Sequence, residues 1–159
     1  MKKILNFIMV MVLAAFSSSC LDSNLEDLGL LSDCDIIGIE THYRYVDESQ
    51  TIPASGEYKV IQIRTAAFSR TYVTDENDPT KGVCTIKYTK QRIPASELAN
   101  FSESNLVVTV DLSPAATIRP IGDSPKLGVP GDWTKDHDYE VTAADGTKKT
   151  WTIVVVDGD

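Results

Sequence analysis

The segment that most restricts the fold of this chain is YEVTAADGTKKTWTIVVV, residues 139–156. Apolar and polar side chains alternate on both sides of its Asp-Gly pair, and a period of two is typical of half-buried strands. A two-residue loop at that pair would mix polar with apolar side chains on both faces of a hairpin. A three-residue loop over residues 144–146, with Gly146 left-handed, instead pairs Tyr139 with Trp151. The segment therefore predicts a hairpin with one apolar face, in which Trp151 belongs to the core.

The same alternation recurs along the chain, and no segment shows the three-to-four-residue apolar spacing of a long helix. At the hairpin tip, Lys149 is expected to lay its stem along apolar surface and keep its ammonium in water. We predict an all-β fold, a single antiparallel β-sandwich of about seven strands. The predicted strands span residues 36–46, 58–64, 83–90, 106–112, 116–119, 139–143 and 150–156.

The first twenty residues have the layout of a cleaved export signal. Lys2 and Lys3 precede an apolar run, Ile4 to Phe16, which is too short to span a bilayer comfortably. The next residues, SSSC ending at Cys20, resemble the lipobox of bacterial lipoproteins, in which the cysteine is diacylated and becomes the new N-terminus. The resemblance implies a lipid anchor on Cys20 in the outer membrane, facing the periplasm or the cell surface. The alternative is an ordinary secretory signal with an unrelated cysteine. We expect three parts: a signal peptide at 1–19, a flexible tether at 20–33 and the sandwich at 34–159.

The second half of the chain carries a further resemblance, in NLVVTVDLSPAATIRPIG and GDWTKDHDYEVTAADGTKKTWTIVVV. Residues 106–156 resemble, in order, the Ig-like and cadherin-like β-sandwich modules of Bacteroidota lipoproteins. Such modules often stand beside carbohydrate-acting domains or occur in lipoproteins of glycan-uptake systems. The resemblance implies an Ig-like fold and names no activity. Because the chain stops soon after its last strand, we expect the function to come from this module or from a partner.

The net charge and the histidine content argue against several classes of function. The formal net charge is −8 at pH 7, and an acidic surface disfavours nucleic acid and anionic lipid surfaces as partners. The two histidines, His42 and His137, lie in no recognisable catalytic motif, and no nucleophile elbow or P-loop is present. We therefore expect a non-enzyme, although the sequence leaves open a carboxylate pair for glycoside cleavage.

Two further site types have open alternatives. Cys34 and Cys84 would be able to pair outside the cytoplasm, and the alternative is two separate buried thiols. The run Asp75, Glu76, Asn77 and Asp78 offers oxygen ligands to Ca²⁺, whereas four polar residues before a proline are also typical of a solvated turn. No cofactor other than this calcium ion is suggested.

Glycan binding would use exposed aromatic rings flanked by polar groups. The candidates are Trp133, Tyr72, Tyr43 and Tyr45, of which Trp133 fits a packed position better than a displayed one. Tyr72, beside Arg70 and the acidic run, is the best exposed candidate. The resulting hypothesis is an envelope binding module, accessory to glycan capture, with Tyr72, Arg70 and Trp133 at its site. The alternatives are a structural lipoprotein that docks to envelope proteins and a calcium-stabilised adhesion module.

Overall fold

Nine strands form two facing sheets in residues 31–159, the part of the chain that the computed structural model describes. The helical content of these residues is a 3₁₀ turn at Glu103–Asn105. The all-β prediction is confirmed, with β3 and the two-residue β7 in addition to the predicted strands. The strands are β1 (Ile36–Thr51), β2 (Tyr58–Arg64), β3 (Ala66–Thr74), β4 (Lys81–Thr89), β5 (Leu106–Leu112), β6 (Thr117–Pro120), β7 (Pro130–Gly131), β8 (His137–Thr142) and β9 (Lys148–Asp157).

The strand order is β2-β1-β5-β7 in one sheet and β3-β4-β9-β8-β6 in the other. All pairs are antiparallel except β4 with β9, which run parallel, with Gly82 opposite Trp151. The prediction of a wholly antiparallel sandwich is therefore wrong at this pair. Side chains alternate in the same way beside a parallel or an antiparallel neighbour, so the sequence pattern carries no signal for strand direction.

The closing hairpin has the predicted register, with Tyr139 opposite Trp151. The amide of Ala143 donates to the Thr147 carbonyl at 2.8 Å, which closes a three-residue loop. Gly146 in that loop has a φ of 89°, in the left-handed region that glycine adopts without steric cost. The loop length and the register predicted from side-chain parity are both confirmed.

Trp151 lies in the core, as predicted, and is only 2% exposed. Its indole Nε1 donates to the Cys34 carbonyl at 2.8 Å, so the polar edge of the ring is satisfied. The ring lies against Gly82, where an added Cβ would come within 2.8 Å of a ring carbon. Burying a side chain of this size stabilises the fold by about 3 kcal/mol, and the close approach leaves no room for a larger residue at position 82.

The ammonium of Lys149 is buried, and the expectation that it would lie in water is wrong. The residue is 8% exposed, and its Nζ lies 4.3 Å from the centroid of the Trp151 ring. It donates to Asp35 Oδ1 at 2.9 Å and to Thr74 Oγ1 at 2.7 Å. A buried charge persists where it is paired and hydrogen-bonded, and these contacts provide both conditions.

The chain passes from one sheet to the other between β2 and β3, at Thr65. The Thr65 amide donates to the Thr41 carbonyl at 2.9 Å, and the two hydroxyl oxygens lie 2.6 Å apart in a buried pair. The strand that follows this corner was not predicted because its register with β4 shifts between Ala67 and Ser69. That bulge interrupts the alternation by which a strand is recognised in sequence.

Different segments of the chain lie at the two ends of the sandwich. At one end Leu31 enters the fold and its carbonyl accepts a hydrogen bond from Asp145 N at 3.2 Å, beside the tip of the β8–β9 hairpin. β1 runs from this end to the other, and its residues from Ile36 to Tyr45 span ~30 Å. The connection from β4 to β5 lies at the far end. Within residues 31–159 no helix has the length and apolar character needed to cross a bilayer.

Candidate functional site

A cleft opens at the far end of the sandwich, between the last part of β1 and the connection from β4 to β5. Its volume is about 680 Å³, within the range of about 300 to 1,000 Å³ that small-molecule sites occupy. We call it the Tyr45 cleft. Its lining residues are Tyr45, Val46, Asp47, Glu48, Ser49, Ser96, Glu97 and Asn100.

The Tyr45 ring is supported from the core by a row of aromatic side chains. Tyr43 and Tyr45 are two residues apart on β1 and so share a face, where their rings stack at 5.8 Å with an interplanar angle of 17°. The Tyr43 ring, 3% exposed, also contacts Phe101 at 5.2 Å, and Phe101 contacts Tyr88 at 5.9 Å. These contacts restrict the rotamers of Tyr45, so the side chain loses less conformational entropy when a ligand binds to its ring.

Asp47 is a fixed negative charge in the cleft. Its Oδ1 accepts hydrogen bonds from Ser49 Oγ at 2.5 Å and Ser49 N at 3.0 Å, and its Oδ2 accepts from Gln50 Nε2 at 2.7 Å. The bonds from Ser49 are the main reason that the pKa of Asp47 lies below its ordinary value. The register of β1 with β2 shifts between Asp47 and Thr51, and such an irregularity re-aims side chains beside a site.

Glu97 lies on the opposite wall. Its own backbone carbonyl accepts from the amides of Asn100 and Phe101, each at 3.0 Å, which folds this segment into a turn. The Tyr43 hydroxyl donates to Glu97 Oε2 at 3.5 Å, so one contact joins the two walls. Burial first, and then the Glu97 carboxylate, raise the pKa of the Tyr43 hydroxyl. The hydroxyl therefore stays protonated and remains a donor.

Tyr72 and Arg70, which the sequence predicts for sugar binding, lie outside the lining of the Tyr45 cleft. Tyr72 lies on edge strand β3 and is 37% exposed, but it does not line the Tyr45 cleft. Arg70, on the same strand, donates from Nε to the Ile39 carbonyl at 2.7 Å and lies 3.7 Å from Glu40, so it braces β3 against the other sheet.

Trp133 is unsuited to ligand stacking, and its place in the predicted site is corrected here. The side chain is 1% exposed, stacks on Tyr139 at 6.2 Å and meets the edge of His137 at 5.3 Å. Both faces of an indole of this size are then inaccessible to a sugar ring. Trp133 follows the two-residue strand β7 and belongs to the buried core cluster.

The acidic run forms the loop between β3 and β4. Asp75 Oδ1 accepts from Asn77 N at 2.8 Å, and Asp78 Oδ1 accepts from Thr80 N at 3.1 Å while its Oδ2 lies 3.0 Å from Lys81 Nζ. Carboxylate oxygens of the loop are thus used within it, and Glu76 is exposed. In the part of the chain that the structure describes, no three His, Cys, Asp or Glu side chains are grouped to hold a metal ion. We therefore favour the solvated turn, and calcium binding by this loop stays the alternative.

The cysteines of the sandwich are two separate buried thiols in this structure. Cys34 Sγ donates to the Thr147 carbonyl at 3.1 Å, at the end of the fold where the chain enters. Cys84 is fully buried in β4, and burial raises the pKa of its thiol to about 12. Cys20, with the predicted signal peptide and most of the predicted tether, lies outside the described residues, so lipidation there stays a prediction.

Several cleft residues were not identified from the sequence. Tyr43 and Tyr45 were sugar candidates, but Asp47, Glu97 and Asn100 were not singled out. The segment that carries Glu97 and Asn100 follows β1 by some fifty residues of chain, so only the tertiary fold brings it to Tyr45. The available signal was the alternation of Tyr43, Tyr45 and Asp47 on one face of β1.

Comparisons with known proteins bear on the fold. The family model described as DUF5018-related matches residues 36–154. The chain is 37% identical to a crystal structure from Bacteroides fragilis described as a candidate secreted protein; the match covers 80% of this chain and 98% of that one, with a TM-score of 0.64. A candidate glycoside hydrolase from Bacteroides thetaiotaomicron is 22% identical, with coverage of 80% of this chain but 26% of that one and a TM-score of 0.42. No curated protein matches the chain.

Proposed function

This chain belongs to the DUF5018-related family, whose name assigns no activity, and we propose that it is a non-enzymatic binding module of the cell envelope that captures glycans in the Tyr45 cleft. The observation that carries the proposal is the supported Tyr45 ring on the wall of a cleft of about 680 Å³. An aromatic face of this kind packs against the apolar face of a pyranose ring.

The polar groups of the cleft complement sugar hydroxyls. The Glu97 carboxylate accepts hydrogen bonds, the Asn100 amide both donates and accepts, and the Ser96 hydroxyl does the same. A few polar groups around an aromatic surface fix the orientation of a ligand and give specificity. The cleft is open and mostly polar, which suits a wet, reversible contact with part of a longer chain.

The state of Asp47 does not suit this residue to the proton-donor role in glycoside cleavage. Glycoside cleavage needs one carboxylic acid with a raised pKa that protonates the leaving group. Hydrogen bonds from Ser49 hold the pKa of Asp47 low, and both of its oxygens are already occupied. Asp47 therefore serves as an orienting charge and not as a proton donor.

The leader, Cys20 and the secreted relative support a lipid-anchored envelope location. The leader at residues 1–19 precedes Cys20, the proposed lipidation site, and the similar protein of Bacteroides fragilis is described as a candidate secreted protein. The chain enters the sandwich beside Asp145, at the end opposite to the cleft. An anchor at Cys20 would therefore attach to the sandwich at the end opposite to the cleft and leave the cleft accessible to glycans.

The test is a glycan array probed with the lipid-free mature chain, residues 21–159, and with matched tyrosine variants. Tyr45→Ala is expected to lower the affinity by about 5- to 150-fold, if sugar stacking on one ring is worth the roughly 1–3 kcal/mol that base stacking on an aromatic ring contributes. Tyr45→Phe should keep most of the signal because it keeps the ring. Tyr72→Ala, the same change on an edge strand, should leave it unchanged. Loss of signal in Tyr72→Ala with full signal in folded Tyr45→Ala would place the site at β3 and refute the cleft.

A second candidate function is supported by the exposed edge of β3. This strand ends its sheet, and Phe68 and Val73 on it are 73% and 58% exposed. Arg70 is its one charged residue, already engaged by Ile39 and Glu40. A long edge strand without free charges is a template for strand pairing. Antiparallel pairing of β3 with β3 of a second copy would make a structural assembly about a two-fold axis.

Sedimentation equilibrium distinguishes a dimer paired through β3 from a monomer. Pairing predicts a dimer that Val73→Lys dissociates, because the substitution introduces like charges at the edge. Val83→Lys is the matched control, since Val83 is opposite Val73 on β4, one strand in from the edge, and is also exposed. A monomer at all concentrations would exclude pairing of this kind.

A further inference from the structure

The lining of the Tyr45 cleft carries charge of one sign only. Asp47, Glu48 and Glu97 are among its lining residues, and none of the lining residues is a lysine, arginine or histidine. Lys59 is a neighbouring cation: it lies opposite Asp47 in the register of β1 with β2, and its Nζ lies 3.5 Å from Gln50 Oε1. It offsets one carboxylate and leaves a net negative cleft.

The hydrogen bonds of Asp47 decide how this charge acts. Both Asp47 oxygens already accept bonds from Ser49 and Gln50, so the carboxylate is held in one position. The carboxylate remains charged, but its oxygens have little capacity left to accept hydrogen bonds from a ligand. Glu48 is exposed and the Glu97 carboxylate receives only a long bond of 3.5 Å from Tyr43, so these two are the carboxylates that a ligand would meet.

From this arrangement, and resting on the proposed glycan function, we infer that the cleft selects neutral and amine-bearing glycans and rejects acidic ones. Hydroxyl groups of a neutral sugar donate to Glu97 and Glu48, and an ammonium group on the sugar forms a stronger, charge-assisted bond with them. The carboxylate of a uronic acid or a sulfate ester on the same ring would lie within a few ångströms of the same groups. Like charges at that distance weaken binding by about tenfold or more, even in a site open to water.

The experiment measures the affinity of the chain for matched tetrasaccharides of glucose, glucosamine and glucuronic acid, in both anomeric linkages, by calorimetry at low salt. We expect the glucosamine oligomer to bind most tightly, the glucose oligomer next, and the glucuronic acid oligomer at least about tenfold more weakly than glucose. Added salt should weaken the glucosamine oligomer and leave the glucose oligomer unchanged.

Two charge-neutralising variants locate the effect. Glu97→Gln should remove most of the preference for the amine while it retains binding of the neutral oligomer. Glu76→Gln, the same change on the loop at the opposite end of the sandwich, should leave the order of affinities intact. Equal or tighter binding of the glucuronic acid oligomer would overturn the charge inference and leave glycan capture standing. Absence of binding by all three series would refute the glycan proposal itself.

Discussion

The contact between Gly82 and Trp151 gives a prediction whose size follows from the structure. An alanine Cβ at position 82 would lie 2.8, 2.9 and 3.0 Å from three carbons of the indole ring. The ring would have to move, yet its Nε1 is bonded to the Cys34 carbonyl and the Lys149 ammonium lies over it. Overpacking of this kind costs about 1–3 kcal/mol, offset by about 0.5–1 kcal/mol for replacing a strand glycine. Taking the middle of each range, Gly82→Ala should therefore destabilise the domain by about 1–2 kcal/mol.

Thermal and urea unfolding followed by tryptophan fluorescence provide the assay. For a domain of this size we expect the Tm to fall by about 3–10 °C. Gly38→Ala is the control: it also lies in a strand, but the carboxylate of the exposed Asp111, the nearest group to an added Cβ there, is able to rotate away, and only the Asp111 Cβ at 3.1 Å has to shift slightly. Its Tm should therefore fall less than that of Gly82→Ala. Equal stability of Gly82→Ala and the wild type, or equal losses in both variants, would refute the reasoning from close approach.

Three further predictions concern polar groups. Thr65→Val should destabilise the fold by about 1–2 kcal/mol because it leaves the buried Thr41 hydroxyl without its partner, and the double variant with Thr41→Val should recover part of the loss in a urea double-mutant cycle. Burial keeps the pKa of His42 below its ordinary value, so the unfolded chain binds this proton more readily. Stability should therefore fall as the pH drops below about 6.5, less steeply in His42→Gln, and equal slopes in the two proteins would contradict this. Asp75 and Asp78 use carboxylate oxygens to accept hydrogen bonds within their loop, so added Ca²⁺ should leave the Tm unchanged. A rise in Tm that the Asp75→Asn, Asp78→Asn double variant abolishes would show calcium binding instead.

Period-two patterning was sufficient to predict the sheets because burial of one face is a local property of a strand. It gave the hairpin register of Tyr139 with Trp151 and the bounds of β2 and β5. It failed at β3, where a bulge after Ala67 breaks the alternation, and for the parallel direction of β4 beside β9. Lys149 was expected to extend into solvent because the partners that bury it, Asp35 and Thr74, are distant in sequence.

The candidate site was less predictable than the fold. Tyr45 stood out as an aromatic residue on a strand, but the sequence neighbours favoured Tyr72, which lies beside Arg70 and the acidic run, whereas the structure places Tyr45 and not Tyr72 in the cleft lining. The cleft exists because the connection from β4 to β5 returns beside the end of β1, which brings Glu97 to Tyr43. Such a juxtaposition depends on tertiary topology, which cannot be inferred from residue types and their spacing alone.

The most direct test of the central claim is an amide chemical-shift titration of the ¹⁵N-labelled mature chain with the glucose and glucosamine tetrasaccharides. We expect saturable shifts concentrated at residues 45–49 and 96–100, the two walls of the Tyr45 cleft. Saturable shifts centred on β3, around Arg70 and Tyr72, or no shifts at millimolar sugar, would contradict it.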